Sequence, residues 1–146
     1  MKSTIEIRSL TIEDYESIFA LWKRTPGMGL RSVDDTREGI DKFLKRNPHT
    51  NFILTDGERA AGVILCGHDG RRAYIYHMVV DTEYRNKRYG SRLLDTVLTA
   101  LKQEGINKAA LVVYADNELG NGFWESKGFT VREDLTYRNR WVQNEE

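Results

Sequence analysis

The run from Val79 to Leu94 constrains this chain more than any other stretch. Val79-Val80 close an apolar strand. Asp81 to Arg88 form a polar, basic turn. From Tyr89 a helix begins, with Leu93, Leu94, Val97, Leu98 and Leu101 recurring at helical spacing. A strand that feeds a helix through a short loop makes an anion seat. The first helical amides have no partner inside the helix, and the aligned peptide dipoles place partial positive charge there. Gly90 lacks a Cβ and lets the backbone approach a ligand. Arg85, Lys87 and Arg88 add formal charge at the same place, so a pyrophosphate suits the site. The competing reading of the same residues is an ordinary strand-to-helix connection with a solvated basic turn.

The rest of the chain is punctuated clearly. Ile5-Glu6-Ile7-Arg8 alternates like a half-buried strand. Thr11 with Glu13 and Asp14 marks a helix start, and Tyr15, Ile18, Phe19 and Trp22 give that helix an apolar face. Thr25-Pro26-Gly27-Met28-Gly29 breaks it. A second helix, capped by Ser32 or Asp34, runs to about Arg46. Asn51–Thr55, Ala60–Cys66 and Ala73–Val80 read as strands, joined through Asp56-Gly57 and Asp69-Gly70 into an antiparallel meander. The helix from Tyr89 to Gln103 stops near Gly105. Ala109–Tyr114 is an unbroken apolar run, expected to lie parallel to Ala73–Val80 after the helical crossover. Asn117–Lys127 is the last helix and Tyr137–Val142 the last strand.

A length of 146 residues suits one domain, expected over residues 1–146, with a real core. Lys plus Arg equal Asp plus Glu at 22 each, so no global field draws the chain to nucleic acid or membrane. A lone cysteine, Cys66, excludes an internal disulfide and fits a reducing compartment. No apolar run approaches membrane-spanning length, and Met1–Glu6 lacks the apolar core of a signal peptide. These features point to a cytoplasmic protein. His49, His68 and His77 with Cys66 have no metal-ligand spacing, so no metal is expected.

Two motifs carry a family resemblance. Arg85-Asn86-Lys87-Arg88-Tyr89-Gly90-Ser91 resembles the acyl-CoA loop of the GNAT N-acetyltransferases, written Gln/Arg-x-x-Gly-x-Gly/Ala. Arg85 and Gly90 match the first and last positions, and Arg88 stands where the middle Gly is expected. Asn117-Glu118-Leu119-Gly120-Asn121-Gly122-Phe123-Trp124-Glu125-Ser126-Lys127-Gly128-Phe129 resembles the family's Asn-x-x-Ala-x-x-Leu/Phe-Tyr-x-x-x-Gly-Phe. Asn117, Phe123, Gly128 and Phe129 match; Gly120 replaces Ala and Trp124 replaces Tyr. The element order, β-α-α-β-β-β-α-β-α-β, also agrees with the family from Ile5 to Val142.

The resemblance implies an α/β fold: a mixed, mostly antiparallel sheet flanked by helices, with a parallel strand pair at the acyl-CoA cleft. It implies acetyl-CoA as cosubstrate, bound by Arg85, Asn86, Lys87, Arg88, Tyr89, Gly90 and Ser91. Met78 and Val80 would hold the thioester and Asn117 the pantetheine arm, although Asn117 also reads as a helix N-cap. Trp22, Met28, Leu30, Arg31 and Tyr74 would border the acceptor, a small-molecule or peptide amine. Transfer needs a base for the amine, donors for the oxyanion and a proton for the thiolate. The family's Tyr at position 124 supplies that proton, whereas the indole of Trp124 is a donor only. Packing is the other role open to Trp124. Tyr76, acting on an ordered water or as the missing proton donor, is the favoured group. By strict alternation Tyr74, Tyr76, Met78 and Val80 share one face of their strand, and His77 lies on the other as a core residue; a bulge, which the resemblance makes common in this strand, would shift that assignment. The alternative to a transferase is a non-catalytic acyl-CoA-binding or sensing domain. A nucleic-acid role for Arg85–Arg88 is opposed by the zero net charge. Homodimerisation is left open.

Overall fold

The computed structural model describes residues 4–26 and 33–143. Strands β1 (Ile5–Ser9), β2 (Phe52–Asp56), β3 (Arg59–His68), β4 (Ala73–Val80) and β5 (Ala109–Ala110) form one sheet in sequential order. The first four pair antiparallel, and β4 pairs with β5 in parallel. Helices α1 (Tyr15–Lys23) and α2 (Arg37–Arg46) cover one face of the sheet. Helix α3 (Tyr89–Gln103) covers the other, and α4 (Glu118–Ser126) follows β5. Among the described residues no helix is long and apolar enough to cross a membrane.

The strand period explains the two layers. Along β3, Val63 and Leu65 join Ile18, Leu21 and Trp22 of α1 and Ile40 of α2, while Ile64 and Cys66 join Leu93, Leu94, Val97 and Leu101 of α3. Both faces are covered, so β3 is buried along nearly its whole length. Burial pushes the Cys66 thiol up to about 12, which makes it inert.

Asp-Gly turns shape the meander as expected. Gly57 and Gly70 take the left-handed values φ 63° and 88°, and the Asp69 carboxylate accepts the amides of Arg71 and Arg72. Beyond Ile64, β3 has no partner from β2; side chains take over the ladder. Asn51 Oδ1 accepts the Cys66 amide at 2.7 Å, Thr50 Oγ1 donates to the Cys66 carbonyl at 2.7 Å, and Asn47 Oδ1 accepts the His68 amide at 2.9 Å. Gly67 allows this closeness, since a Cβ there would lie 2.8 Å from the Phe43 ring. Thus the C-terminal end of α2 is clamped onto β3.

Two strand expectations fail. The run Ala109–Tyr114 pairs only through Ala109 and Ala110, after which it parts from β4. Tyr137–Val142 alternates but forms no strand. For Tyr137–Val142 the reason is physical: a β5 of two residues offers no continuous outer edge to receive another strand.

Candidate functional site

Strand β4 carries an irregularity that reassigns its side chains. Opposite Leu65 and Cys66 of β3 stand His77 and Ile75, so Tyr76 is the extra residue of a bulge. Tyr74 and Tyr76 face α2. Past the bulge the parity flips, and His77 and Val79 occupy that same side, while Ile75, Met78 and Val80 turn to α3. The strict alternation expected for Tyr74, Tyr76, Met78 and Val80 is therefore corrected: the four are divided between two faces.

The outer edge of β4 is open from Ile75 onward, because β5 pairs only with Ala73 and Tyr74. The Asp81 amide donates to the Ala61 carbonyl of β3 at 2.8 Å. Backbone groups alternate along a strand, so those of Met78 and Val80 point away from β3 toward the open edge. Arg85 Nε reaches the Val80 carbonyl there at 3.0 Å, tying the basic loop to the strand. The strand end is anchored from the other side. Asp81 is buried and accepts Arg24 Nη2 at 2.9 Å and Arg59 Nη2 at 2.8 Å. Burial alone would raise its carboxyl, but the two guanidinium hydrogen bonds outweigh that and hold it below the usual carboxylate range.

Helix α3 starts beside this edge. Its N-cap is Arg88, held left-handed at φ 67°, with no side-chain cap and no acid in the first turn. The family's middle Gly falls on this position, and the φ value shows why glycine suits it. Asn86 is also left-handed, at φ 64°. Arg85, Asn86, Lys87 and Arg88 are exposed, and Tyr89, Gly90 and Ser91 half-buried. A Cβ added to Gly90 would point between the Met78 methyl, 3.5 Å away, and the Phe123 ring, 3.6 Å away. Gly90 therefore borders the gap between β4, α3 and α4.

Helix α4 forms the far wall of that gap. Asn117 caps it, its Oδ1 accepting the Gly120 amide at 2.9 Å. Trp124 packs edge-on against Phe123 and Phe129, with ring centres 5.0 and 5.2 Å away. These contacts make it a packing residue in this structure, and none of them gives it a route to move a proton.

On the opposite side of β4 lies a cavity of about 520 Å³ between α2 and the strand. Tyr74, Tyr76 and Phe43 form its aromatic wall, with Phe43 and Tyr74 rings 5.5 and 4.7 Å from that of Tyr76. Tyr76 is 56% exposed; partial desolvation against α2, with Asp34 nearby, pushes its phenol further up from the ordinary tyrosine range, in which it is already protonated at neutral pH. His77, expected in the core, lines this cavity: its Nε2 lies 2.9 Å from Asp35 Oδ1, and its ring meets Trp22 edge-on. The bulge brings it here, and a bulge set by cross-strand register has no local sequence signature. Asp35 belongs to a short 3-10 turn (Val33–Asp35) whose carbonyl also accepts the Tyr15 hydroxyl.

Among the expected acceptor contacts, Tyr74 lines the cavity. Trp22 does not: it is fully buried under α1, so it is a core residue. A large aromatic on an amphipathic helix face supports either role from sequence alone. Met28, Leu30 and Arg31 lie outside the described residues.

A parallel strand pair that splays, an uncapped helix start at the splay and a helix closing the gap are the arrangement that the family resemblance implies. Residues 13–129 match the model of the acetyltransferase (GNAT) family, and the chain belongs to that family. Solved structures agree on the fold. Ard1 from Thermoplasma volcanium superposes with a TM-score of 0.78 at 22% identity, over 88% of this chain and 84% of that one. The PaiA N-acetyltransferase from Thermoplasma acidophilum, solved with coenzyme A, gives 0.76 at 24% identity over 89% and 92%. The aminoglycoside N-acetyltransferase AAC(6')-Iy, also solved with CoA, gives 0.75 at 17% over 96% and 97%.

Proposed function

We propose that this chain is an acetyl-CoA-dependent N-acetyltransferase that acts on a primary amine by direct attack in a ternary complex. The observation that carries the reading is the pairing of two hydrogen-bonding surfaces. The splayed edge of β4 presents the backbone of Met78 and the amide of Val80, whose carbonyl Arg85 takes, and the uncapped start of α3 presents amides beside Arg88, Gly90 and Ser91. An extended amide-bearing arm suits the first, and a pyrophosphate suits the second. Lys87, Arg88 and Tyr89 would flank the phosphates, with Asn86 shaping the turn and Arg85 bracing it from Val80. Asn117, already a cap, would meet the arm from α4. The bound cosubstrate supplies the activated acetyl group.

The acceptor amine would enter the cavity on the other side of β4, so that the two substrates approach the strand from opposite sides and meet only at their reacting ends. Transfer forms a C–N bond and breaks a C–S bond; the amine loses a proton and the thiolate gains one. Tyr76, protonated at neutral pH and standing on the bulge, is the group proposed to hold that second proton. Backbone donors at the β4 edge would stabilise the developing oxyanion. Trp124 closes the gap by packing.

The test mixes the protein with acetyl-CoA and a panel of amines and follows free thiol against an amine-free control. Amine-dependent release is expected. A rise in melting temperature with acetyl-CoA but no release for any amine would favour the sensing alternative. No thermal shift at all would sink both. Unchanged turnover in Tyr76→Phe would remove Tyr76 from the proton route.

A further inference from the structure

The charges around the cavity are sorted by end. Helix α2 runs alongside β4 in the opposite sense: Asp35, just before it, meets His77, while Asn47, just after it, meets His68. The end near His77 holds Asp34 and Asp35. The other end holds Lys42 and Arg46 from α2 and Arg72 from the β3–β4 turn. Among the described residues, none of these three cations has a carboxylate within ion-pair distance, whereas Lys45, on the outer face of α2, pairs with Asp41 at 2.9 Å. The carboxylate of Asp69, at the cationic end, is occupied by two backbone amides. His68, also at that end, lies 3.3 Å from Glu104. The cavity is thus bipolar: acidic where β4 approaches the start of α3, basic at the far end.

From this arrangement we infer that the acceptor is an amine at the head of an extended, acid-bearing chain, such as the N-terminus of an acidic peptide. The inference rests on the transferase reading for the position of the amine. The ammonium approaches the end that holds Asp34 and the Asp35–His77 pair, where the acidity of that end and the ring quadrupoles of the Tyr74–Tyr76 wall attract a cation. The chain then runs along α2. Lys42 lies seven residues past Asp35, about 10 Å along a helix, and Arg46 about 6 Å further. At about 3.3 Å per residue of extended peptide, these cations face positions four to six of the acceptor. A polyamine or an aminoglycoside would instead set its second ammonium against Lys42, Arg46 and Arg72.

The experiment uses three peptides of equal length and the same first three residues, with Glu, Gln or Lys at positions four to six, alongside spermidine and an aminoglycoside. Each is read twice: by thiol release with acetyl-CoA, and by equilibrium binding to the protein in the presence of CoA. The Glu peptide should bind about tenfold tighter than the Gln peptide, the combined effect of exposed ion pairs that are each weak alone. The advantage should sit in KM and shrink at high salt. The Lys peptide should be weakest. Lys42→Glu combined with Arg46→Glu, both at exposed positions, should reverse the order. Equal binding of the three peptides, or a preference for spermidine or the aminoglycoside, overturns the inference and leaves the transferase standing. Selective binding of the Glu peptide without thiol release supports the inference about the cavity and counts against the transferase.

Discussion

Three helix starts in this molecule are built to different rules. At α2, Thr36 Oγ1 accepts the Gly39 amide at 3.0 Å and Glu38 stands in the first turn. At α4, Asn117 and Glu118 repeat the arrangement. Both complement the helix dipole from within the chain. Helix α3 does the opposite, with a left-handed arginine at the cap, no side-chain acceptor, no acid, and basic residues on the approach. A missing cap costs about 1 kcal/mol and a left-handed non-glycine residue about as much again. Helices α2 and α4 are capped by side chains, whereas α3, the start proposed to meet the pyrophosphate, is left bare.

The largest test of that contrast places an acid at the bare start. Ser91→Glu should help the free protein by about 0.5 kcal/mol through the helix dipole. The same carboxylate would face the pyrophosphate, and acetyl-CoA affinity should fall by at least about 100-fold, or about 2.7 kcal/mol. Calorimetric titration beside a melting curve reads both signs. Retained affinity would mean the phosphates bind elsewhere.

Next in size is the anchor behind the loop. Asp81→Asn should cost about 2 kcal/mol, below the range for a fully buried pair because Arg24 and Arg59 are 40% and 44% exposed. The pH dependence has a definite sign. The Asp81 carboxyl lies below its unfolded value, so its contribution is complete above about pH 4. It is lost as pH falls through the folded pKa. The wild type should therefore lose stability over that acid window more steeply than Asp81→Asn, by denaturant titration at each pH. Parallel curves would show that the ion triad contributes little.

What was legible in the sequence follows the range of the interactions. The Asp-Gly turns, the limits of α3, the Asn117 cap and the basic loop depend on residues close in the chain. All stand where local chemistry put them. The bulge at Tyr76 depends on which residue of β3 lies opposite, and no local pattern encodes it. It moved His77 from the expected core position to the cavity wall. The burial of Trp22 and the brevity of β5 are likewise set by neighbours distant in sequence. The Asn47, Thr50 and Asn51 clamp was not read because buried amides and hydroxyls look like loop residues until their partners are known.

A paired substitution then separates scaffold from site. Thr36→Ala should cost about 1 kcal/mol of stability and leave acetyl-CoA affinity unchanged. Asn117→Ala should cost the same cap energy and also weaken acetyl-CoA several-fold, since its amide is proposed to meet the pantetheine arm. Unchanged affinity in Asn117→Ala would make both residues caps and nothing more.

The smallest effect is the most direct measure of what the bare start costs. Arg88→Gly removes the left-handed penalty of about 1 kcal/mol but adds freedom to the unfolded chain worth somewhat less, so stability should rise by about 0.5 kcal/mol. For a chain of this size that is a melting shift of about 1–2 °C. Asn86→Gly should gain less still, because asparagine tolerates the left-handed region. Acetyl-CoA affinity in Arg88→Gly should fall only by the share of one exposed cation, about two- to fivefold. If Arg88→Gly lost stability while keeping full affinity, the strained arginine would be a structural residue, and α3 would differ from α2 and α4 only in its missing cap.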